Sequence, residues 1–174
     1  HDTLVAPMDD YTDMMGKHNF LPVIRSKISS CHQHGMKAIG YGAVYAASEG
    51  FATAHNDWRL FTDRGPLKFI DVFSIMNLRT PWKEHLIGQY RRAITEAGFD
   101  GIHMDTYGFP KTAPDFSGHT LHLEDDFPAL IDRTRKALPD STLVFNNVGA
   151  WPVERTMGEA VDAVYIEVWP PYDR

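Results

Sequence analysis

Two acidic residues, Asp105 and Glu167, each follow a short apolar segment and are the strongest candidates for chemistry in the sequence. An acid at the end of a buried strand is expected to be a nucleophile or a metal ligand, or else a capping or salt-bridged residue. Glu167 lies in the pattern Tyr165-x-Glu167-x-Trp169, and the two-residue period of a strand places all three side chains on one face. An acid between aromatic rings is typical of a sugar site, where it can hold a proton for a leaving group. The alternative for Glu167 is an ion pair with a Lys or an Arg inside the fold.

Aromatic and amide residues near the predicted strand ends and in the predicted loops form a candidate set for binding sugar. Aromatic rings can cover the apolar faces of pyranose rings, and side-chain amides can hydrogen-bond hydroxyl groups. The predicted substrate-binding residues are Tyr41, Tyr45, Trp58, Asn77, Tyr107, Asn146, Asn147, Tyr165 and Trp169. Two alternatives stay open, since Asn146 and Asn147 could cap a turn and Trp58 could fill the core of a loop.

A metal-dependent hydrolase is a less favoured alternative. It rests on His103 and Asp105, which point to one face of a strand. The other histidines lie on predicted helices, in loops or at the chain end, so none of them completes a ligand set. Cys31 is the only cysteine, which excludes an internal disulfide and a cysteine metal cage. The sequence therefore predicts neither a metal nor another cofactor.

Helix-like and strand-like segments alternate along the chain and must position these residues. The predicted helices are 20–34, 80–98, 124–136 and 152–160, and the predicted strands are 36–45, 72–77, 101–105, 141–147 and 163–169, with a long irregular loop at 46–70. This alternation indicates an α/β fold in which helices cover a parallel sheet. A doubly wound sheet and a barrel both fit. Polar residues at the C-terminal ends of the strands favour a (β/α)8 TIM barrel, of which a chain of this length supplies about five of the eight units.

Composition narrows the classes of partner. The 174 residues are 43% hydrophobic and 12% aromatic, as in a globular domain, and a formal net charge of -6 without a basic cluster argues against nucleic acid. No apolar stretch approaches the roughly 18 residues of a membrane-spanning helix, so no membrane association is predicted. The chain begins with His1 and ends directly after a predicted strand, and we expect it to be a piece of a longer protein.

Three separated segments resemble glycoside hydrolase family 66, the dextranases and cycloisomaltooligosaccharide glucanotransferases. They are 36–47, 98–108 with Asp105, and 162–169 with Glu167. The resemblance implies an endo-acting enzyme that cleaves the α-1,6-glucosidic linkages of dextran with retention, with Asp105 as nucleophile and Glu167 as general acid/base. It also implies dextran or isomaltooligosaccharides as partners, and secretion or cell-surface display in a bacterium.

Two alternatives to hydrolysis remain: a cycloisomaltooligosaccharide glucanotransferase, and a carbohydrate-binding barrel without turnover, which would not need both acids. Family members are longer and carry a β-domain on each side of the barrel. Residues 1–174 are therefore expected to be part of the catalytic barrel without those domains, and not to close a barrel alone. Asp105 and Glu167 end predicted strands that are separated by one intervening strand, and neighbouring strands lie about 4.8 Å apart, so their backbones are expected roughly 9 to 10 Å apart. Both side chains point inward, which brings the two carboxyl groups to about 5 to 6 Å, within range for direct attack on the sugar.

Overall fold

The chain forms a mixed α/β fold, and the computed structural model describes residues 8–13 and 15–169. The strands in these residues are β1 (Asp10–Thr12), β2 (His18–Phe20), β3 (Ile39–Ala43), β4 (Ala46–Ala47), β5 (Phe61–Thr62), β6 (Gly65–Pro66), β7 (Lys68–Phe69), β8 (Phe73–Ile75), β9 (Gly101–Asp105), β10 (Thr112–Pro114), β11 (Thr120–His122), β12 (Thr142–Asn146) and β13 (Ala163–Tyr165). The α-helices are α1 (Leu21–Gln33), α2 (Glu49–Ala54), α3 (Trp82–Arg92), α4 (Phe127–Ala137) and α5 (Val153–Thr156). Short 3-10 turns lie at Asn56–Trp58, Leu123–Asp126 and Val148–Ala150, and α3 continues into a π-helical turn at Ala93–Ala97.

A parallel sheet with the strand order β13-β12-β9-β3 forms the centre of the molecule. Ala43 of β3 pairs with Asp105 of β9, and Asn146 of β12 pairs with Tyr165 of β13. Because all four strands run in the same direction, their carboxyl ends meet at one edge of the sheet. This edge is where the polar residues of the candidate site lie.

Helices α3 and α4 pack against this sheet through their apolar faces. Trp82, Leu86 and Tyr90 recur at every fourth position of α3 and are fully buried, which is the spacing of one helical face. The indole Nε1 of Trp82 donates a hydrogen bond of 2.9 Å to the carbonyl oxygen of Val44, just after β3. Each buried side chain of this size stabilises the fold by roughly 1.5–3 kcal/mol. The buried face and this hydrogen bond together hold α3 against β3, the strand that contains Tyr41.

The contact between α3 and β3 depends on a glycine. A Cβ placed on Gly42 would lie 2.6 Å from Cε1 of Tyr90, closer than side chains approach one another. The absence of a side chain at this position lets the Tyr90 ring lie directly against β3. Tyr90 is fully buried there, and its hydroxyl lies 3.4 Å from the carbonyl oxygen of Gly42.

Two segments leave the parallel sheet at its carboxyl edge, and we call them the first excursion (44–77) and the second excursion (106–122). The first excursion contains a small antiparallel sheet of order β4-β8-β7 and the antiparallel pair β5–β6. The second excursion contains the antiparallel pair β10–β11. Both excursions begin directly after strands that carry site residues, β3 and β9.

Several predicted elements differ from the observed ones. The segment 72–77 is not a strand of the parallel sheet, because β8 pairs antiparallel with both β4 and β7. The predicted strand 36–45 is limited to β3, so Tyr45 lies beyond it. The predicted strand 163–169 ends at Tyr165. Beyond that point Glu167 accepts a 2.7 Å hydrogen bond from the backbone N–H of Gly149, which follows β12.

The predicted α/β class is confirmed, and the barrel is not. In residues 8–13 and 15–169 the parallel sheet is open, with β3 and β13 at its edges, and it does not close on itself. The same residues contain no helix that is long and apolar enough to cross a membrane.

Candidate active site

Asp105 lies at the carboxyl edge of β9 between polar groups from both neighbouring strands. The hydroxyl of Tyr41, on β3, donates a hydrogen bond to Oδ2 of Asp105. The amide Nδ2 of Asn146, on β12, donates a hydrogen bond of 2.7 Å to Oδ1. Each carboxylate oxygen thus has a donor, and the two hydrogen bonds fix the orientation of the carboxylate.

The amide of Asn146 joins the two acids. Its Nδ2 also donates a hydrogen bond of 2.7 Å to Oε2 of Glu167. An amide nitrogen carries two N–H groups, so it can serve both carboxylates. Oxygens that each lie 2.7 Å from one nitrogen are at most about 5.4 Å apart, so this is an upper limit for the distance between Oδ1 of Asp105 and Oε2 of Glu167. Asn146 is only 2% exposed, so its position is fixed by the packing around β12.

Two tyrosines close to the acids remain protonated donors. Burial raises the pKa of Tyr41 above its ordinary value, and the hydrogen bond to Asp105 and the negative charges of Asp105 and Glu167 raise it further. Burial also raises the pKa of Tyr45, with the same two charges adding to the effect. A neutral phenol next to a carboxylate can donate a proton in a hydrogen bond without adding a negative charge.

An open groove of about 1220 Å³ lies over the two acids. Its lining is mainly aromatic: Tyr41, Tyr45, Phe69, His103, Tyr107, Phe109, Tyr165 and Trp169 all contribute. The rings of Tyr45 and Tyr107 meet edge to face at 4.9 Å and are buried, whereas Trp169 is 61% exposed. Two carboxyl groups below aromatic walls match the chemistry of a site that binds and cleaves sugars.

Comparison with known proteins identifies the family. The family model described as glycosyl hydrolase family 66 matches residues 1–174. The chain belongs to glycosyl hydrolase family 66. The resemblance predicted from the three sequence segments is therefore confirmed.

Two curated relatives of this family 66 chain are glucanotransferases. A cycloisomaltooligosaccharide glucanotransferase of Niallia circulans is 27% identical over 180 residues, covering 91% of this chain and 19% of the relative. A second one from the same organism is 23% identical and covers 91% of this chain and 18% of the relative. This chain thus spans about a fifth of the length of the curated relatives that it matches.

Solved structures agree with this assignment. The crystal structure of a Paenibacillus sp. cycloisomaltooligosaccharide glucanotransferase complexed with cycloisomaltoheptaose has a TM-score of 0.84 and 25% identity, covering 97% of this chain and 27% of that chain. A noncanonic maltogenic alpha-amylase from Thermotoga neapolitana has a TM-score of 0.61 at 14% identity, covering 85% of this chain and 32% of that chain. At that identity the second likeness concerns the fold alone. The mixed α/β fold of this family 66 chain is therefore similar to that of glycoside hydrolases.

The groove of this family 66 chain collects most of the residues predicted to form a site. Those that line it are Tyr41, Tyr45, Asp105, Tyr107, Asn146, Tyr165, Glu167 and Trp169. The structure does not bring Trp58, Asn77 or Asn147 into the groove. The ring of Trp58 stacks on His55 at 4.1 Å and packs against the core.

Asn147 serves the fold rather than the groove. It is fully buried, and its Oδ1 accepts a hydrogen bond of 2.6 Å from the hydroxyl of Thr156 on α5. Its Nδ2 lies 3.3 Å from the carbonyl oxygen of Tyr165. These contacts connect the end of β12 to β13 and α5. Asn147 therefore stabilises the fold, whereas the preceding residue, Asn146, binds the two acids. Asn77 lines a different cavity.

Sequence reasoning missed several residues of the groove. Phe69 reaches it from the first excursion and meets Tyr45 edge to face at 5.8 Å, and no sequence signal marked it. Phe109 follows Asp105 by four residues, and its place in the loop after a candidate acid was a usable signal. His103, considered as a metal ligand, lies between Tyr41 and Tyr165, at ring distances of 6.1 and 5.3 Å. Among the described residues, no group of three or more His, Cys, Asp or Glu side chains is arranged to hold a metal ion.

Proposed function

We propose that this chain carries the two catalytic acids of an endo-acting enzyme that cleaves α-1,6-glucosidic linkages of dextran with retention of configuration. The observation that carries the proposal is the amide of Asn146, which hydrogen-bonds Asp105 and Glu167 at 2.7 Å each. The resulting limit of about 5.4 Å between their nearest oxygens fits the separation of about 5–5.5 Å for direct attack. An inverting enzyme needs roughly 6.5–9.5 Å to admit a water molecule.

The proposed reaction has two steps. In the first, a carboxylate oxygen of Asp105 attacks the anomeric carbon while Glu167 gives its proton to the oxygen of the leaving sugar. In the second, Glu167 takes a proton from an acceptor hydroxyl, whose oxygen attacks the same carbon and releases Asp105. Tyr41 and Asn146 hold the Asp105 carboxylate in place throughout. Aromatic side chains of the groove, including Tyr165 and Trp169, cover the glucosyl units.

The acceptor decides between two outcomes. Water gives hydrolysis, whereas a hydroxyl group at the far end of the same glucan chain gives a cyclic isomaltooligosaccharide. The second outcome is the specific alternative, because both curated relatives are cycloisomaltooligosaccharide glucanotransferases. Both outcomes use the same covalent intermediate and the same two acids.

The open sheet also supports a proposal about the whole protein. We infer that β3, β9, β12 and β13 are consecutive strands of a (β/α)8 barrel whose remaining strands pair with the free edges of β3 and β13. Additional β-domains on either side of that barrel, and secretion or cell-surface display in a bacterium, belong to the same proposal.

Product analysis with the protein at its natural length tests the function. The protein is incubated with dextran, pullulan and starch, and the products are sized. We expect products only from dextran and not from pullulan or starch. New reducing ends would indicate hydrolysis, and cyclic products would indicate transfer. Asp105→Asn serves as the inactive control. Unchanged dextran, or equal attack on pullulan or starch, would contradict the proposal.

A further inference from the structure

A second cavity of about 520 Å³ lies outside the groove and is lined by both excursions. The first excursion contributes Asp57 and Asn77, and the second contributes Asp115, Phe116 and His119. The two excursions are held together here, since the rings of Phe61 and Phe116 lie 6.0 Å apart. The volume is in the range of roughly 300–1,000 Å³ that is typical of small-ligand sites.

Asn77 presents an unused donor to this cavity. The residue is only 6% exposed, and its Oδ1 accepts a hydrogen bond of 2.9 Å from the backbone N–H of Arg79. This bond fixes the orientation of the amide. Among residues 8–13 and 15–169, Nδ2 of Asn77 has no hydrogen-bond partner. A ligand oxygen in the cavity can accept a hydrogen bond from this amide N–H.

Arg79 and Asp57 add further unused groups at the cavity wall. Nε of Arg79 donates to the carboxylate of Asp126 at 2.8 and 3.0 Å, and its two terminal nitrogens have no partner in the described part of the chain. The carboxylate of Asp57 is exposed and likewise has no partner there. The Phe116 ring is 56% exposed beside them.

This mixture of groups selects a neutral, polyhydroxylated ligand. Phosphate or another anion would meet the carboxylates of Asp57 and Asp115, and a metal cation would meet the guanidinium of Arg79. A sugar hydroxyl both donates and accepts, so it can satisfy Asp57 and Arg79 together. The exposed ring of Phe116 offers a surface for the apolar face of a pyranose.

The position of the cavity links it to the groove. Tyr45 and Phe69 of the first excursion and Tyr107 of the second line the groove, and the same two excursions line the second cavity. Both therefore open from loops at the carboxyl edge of one sheet. We propose that the second cavity is a separate binding site for a stretch of glucan chain, which holds the polymer beside the groove. The identity of the sugar rests on the proposed function.

Calorimetric titration with isomaltoheptaose tests the proposal in the protein at natural length, in an Asp105→Asn background that prevents turnover. Two classes of site are expected. Phe116→Ala and Asp57→Ala should each lower the affinity of the same class of site about tenfold, which corresponds to roughly 1.4 kcal/mol of lost contact. The affinity of the other class should stay unchanged. Asp63→Ala is the matched control, since Asp63 is an exposed acid of the same excursion outside both sites. Melting curves establish that each variant is folded.

The outcomes separate this proposal from the proposed function. A single class of site, or two classes that neither Phe116→Ala nor Asp57→Ala changes, would overturn the second site. If one variant does not fold, the other decides the question. Loss of one class of site in Phe116→Ala and Asp57→Ala, together with no cleavage of dextran by the protein that keeps Asp105, would support the second site while the proposed function fails.

Discussion

The hydroxyl of Tyr41 donates its hydrogen bond to the oxygen of Asp105 that Asn146 leaves free. The two donors come from β3 and β12, the strands on either side of β9. Asp105 is therefore held from both sides by rigid strands rather than by loops. Such support fixes the direction of a nucleophile toward its target.

Replacement of Tyr41 tests this support. Tyr41→Phe removes the hydroxyl and keeps the ring, and we expect kcat on dextran to fall about 10- to 100-fold with little change in KM, because a hydrogen bond to a charged group is worth roughly 1.5–3 kcal/mol. Steady-state kinetics of the natural-length protein measures the effect. Tyr11→Phe, which removes a hydroxyl outside the groove, is the control. A rise in KM at constant kcat would assign Tyr41 to binding instead.

An added charge at Asn146 tests the bridge between the acids. Asn146→Asp keeps the shape but places a third carboxyl group between Asp105 and Glu167, where the amide now donates to both. The new negative charge opposes ionisation of its neighbours, so we expect activity to fall and the acidic limb of the pH–rate profile to move to higher pH. An unchanged profile would show that Asn146 does not hold the acids. Thr142→Ser, at the far end of β12, serves as the control.

Two tryptophans are expected to behave differently. Trp169 lines the groove with most of its ring exposed, so Trp169→Ala should raise KM by an amount equivalent to about 1–3 kcal/mol of lost contact. Trp58 stacks on His55 away from the groove, so Trp58→Ala should lower the melting temperature and leave KM unchanged. Kinetics and thermal melts of both variants give the comparison. A raised KM in Trp58→Ala would return this residue to the sugar site.

A pair of glycine substitutions should have opposite effects on stability. Gly42→Ala places a Cβ 2.6 Å from the Tyr90 ring, and overpacking of this kind costs about 1–3 kcal/mol. Gly88→Ala lies on α3 with no atom within 4 Å of the new Cβ, and removal of a glycine from a helix stabilises by about 0.5–1 kcal/mol. Urea denaturation measures both. Similar midpoints for the two variants would contradict the tight packing of Tyr90 on β3.

The carboxylate of Glu49 should make stability depend on pH. Burial tends to raise its pKa, but hydrogen bonds from Ser74 and Lys68 outweigh that effect. The charge and hydrogen bond of Arg59 act in the same direction, and the pKa falls from 4.5 to about 2. Since the folded state lowers the pKa, the stabilisation is complete above about pH 4.5 and is lost as the pH falls toward 2.

Comparison of Glu49→Gln with the unaltered protein measures this effect. The variant leaves the buried guanidinium of Arg59 without its charged partner. It should be less stable than the unaltered protein at pH 7, and the difference should shrink below pH 4.5. Glu154→Gln, at an exposed acid on α5, is the matched control. An equal difference at pH 7 and pH 3 would exclude the ion pair as its cause.

The sequence was enough to place Asp105, Asn146 and Glu167 near one another. Short, near-continuous apolar runs predict buried strands, alternation with helices predicts that these strands are parallel, and parallel strands bring their carboxyl ends to one edge. These are local patterns combined with one rule of topology. The same reasoning placed Tyr41 on the predicted strand 36–45 and predicted the helix 80–98 that contains α3, but it put the strand 72–77 between Tyr41 and Asp105, whereas β3 and β9 are neighbours in the structure.

Only the tertiary structure decided which members of the candidate set reach the groove. Asn146 and Asn147 are adjacent and chemically identical, and the register of β12 turns the first toward the acids and the second toward Thr156. In the first excursion, Phe69 reaches the groove and Trp58 does not, because β7 pairs with β8 while the turn at Asn56–Trp58 packs on the core. The contact of Phe69 with Tyr45 joins residues 24 positions apart in the chain, and local periodicity carries no information about which distant side chain a residue will meet.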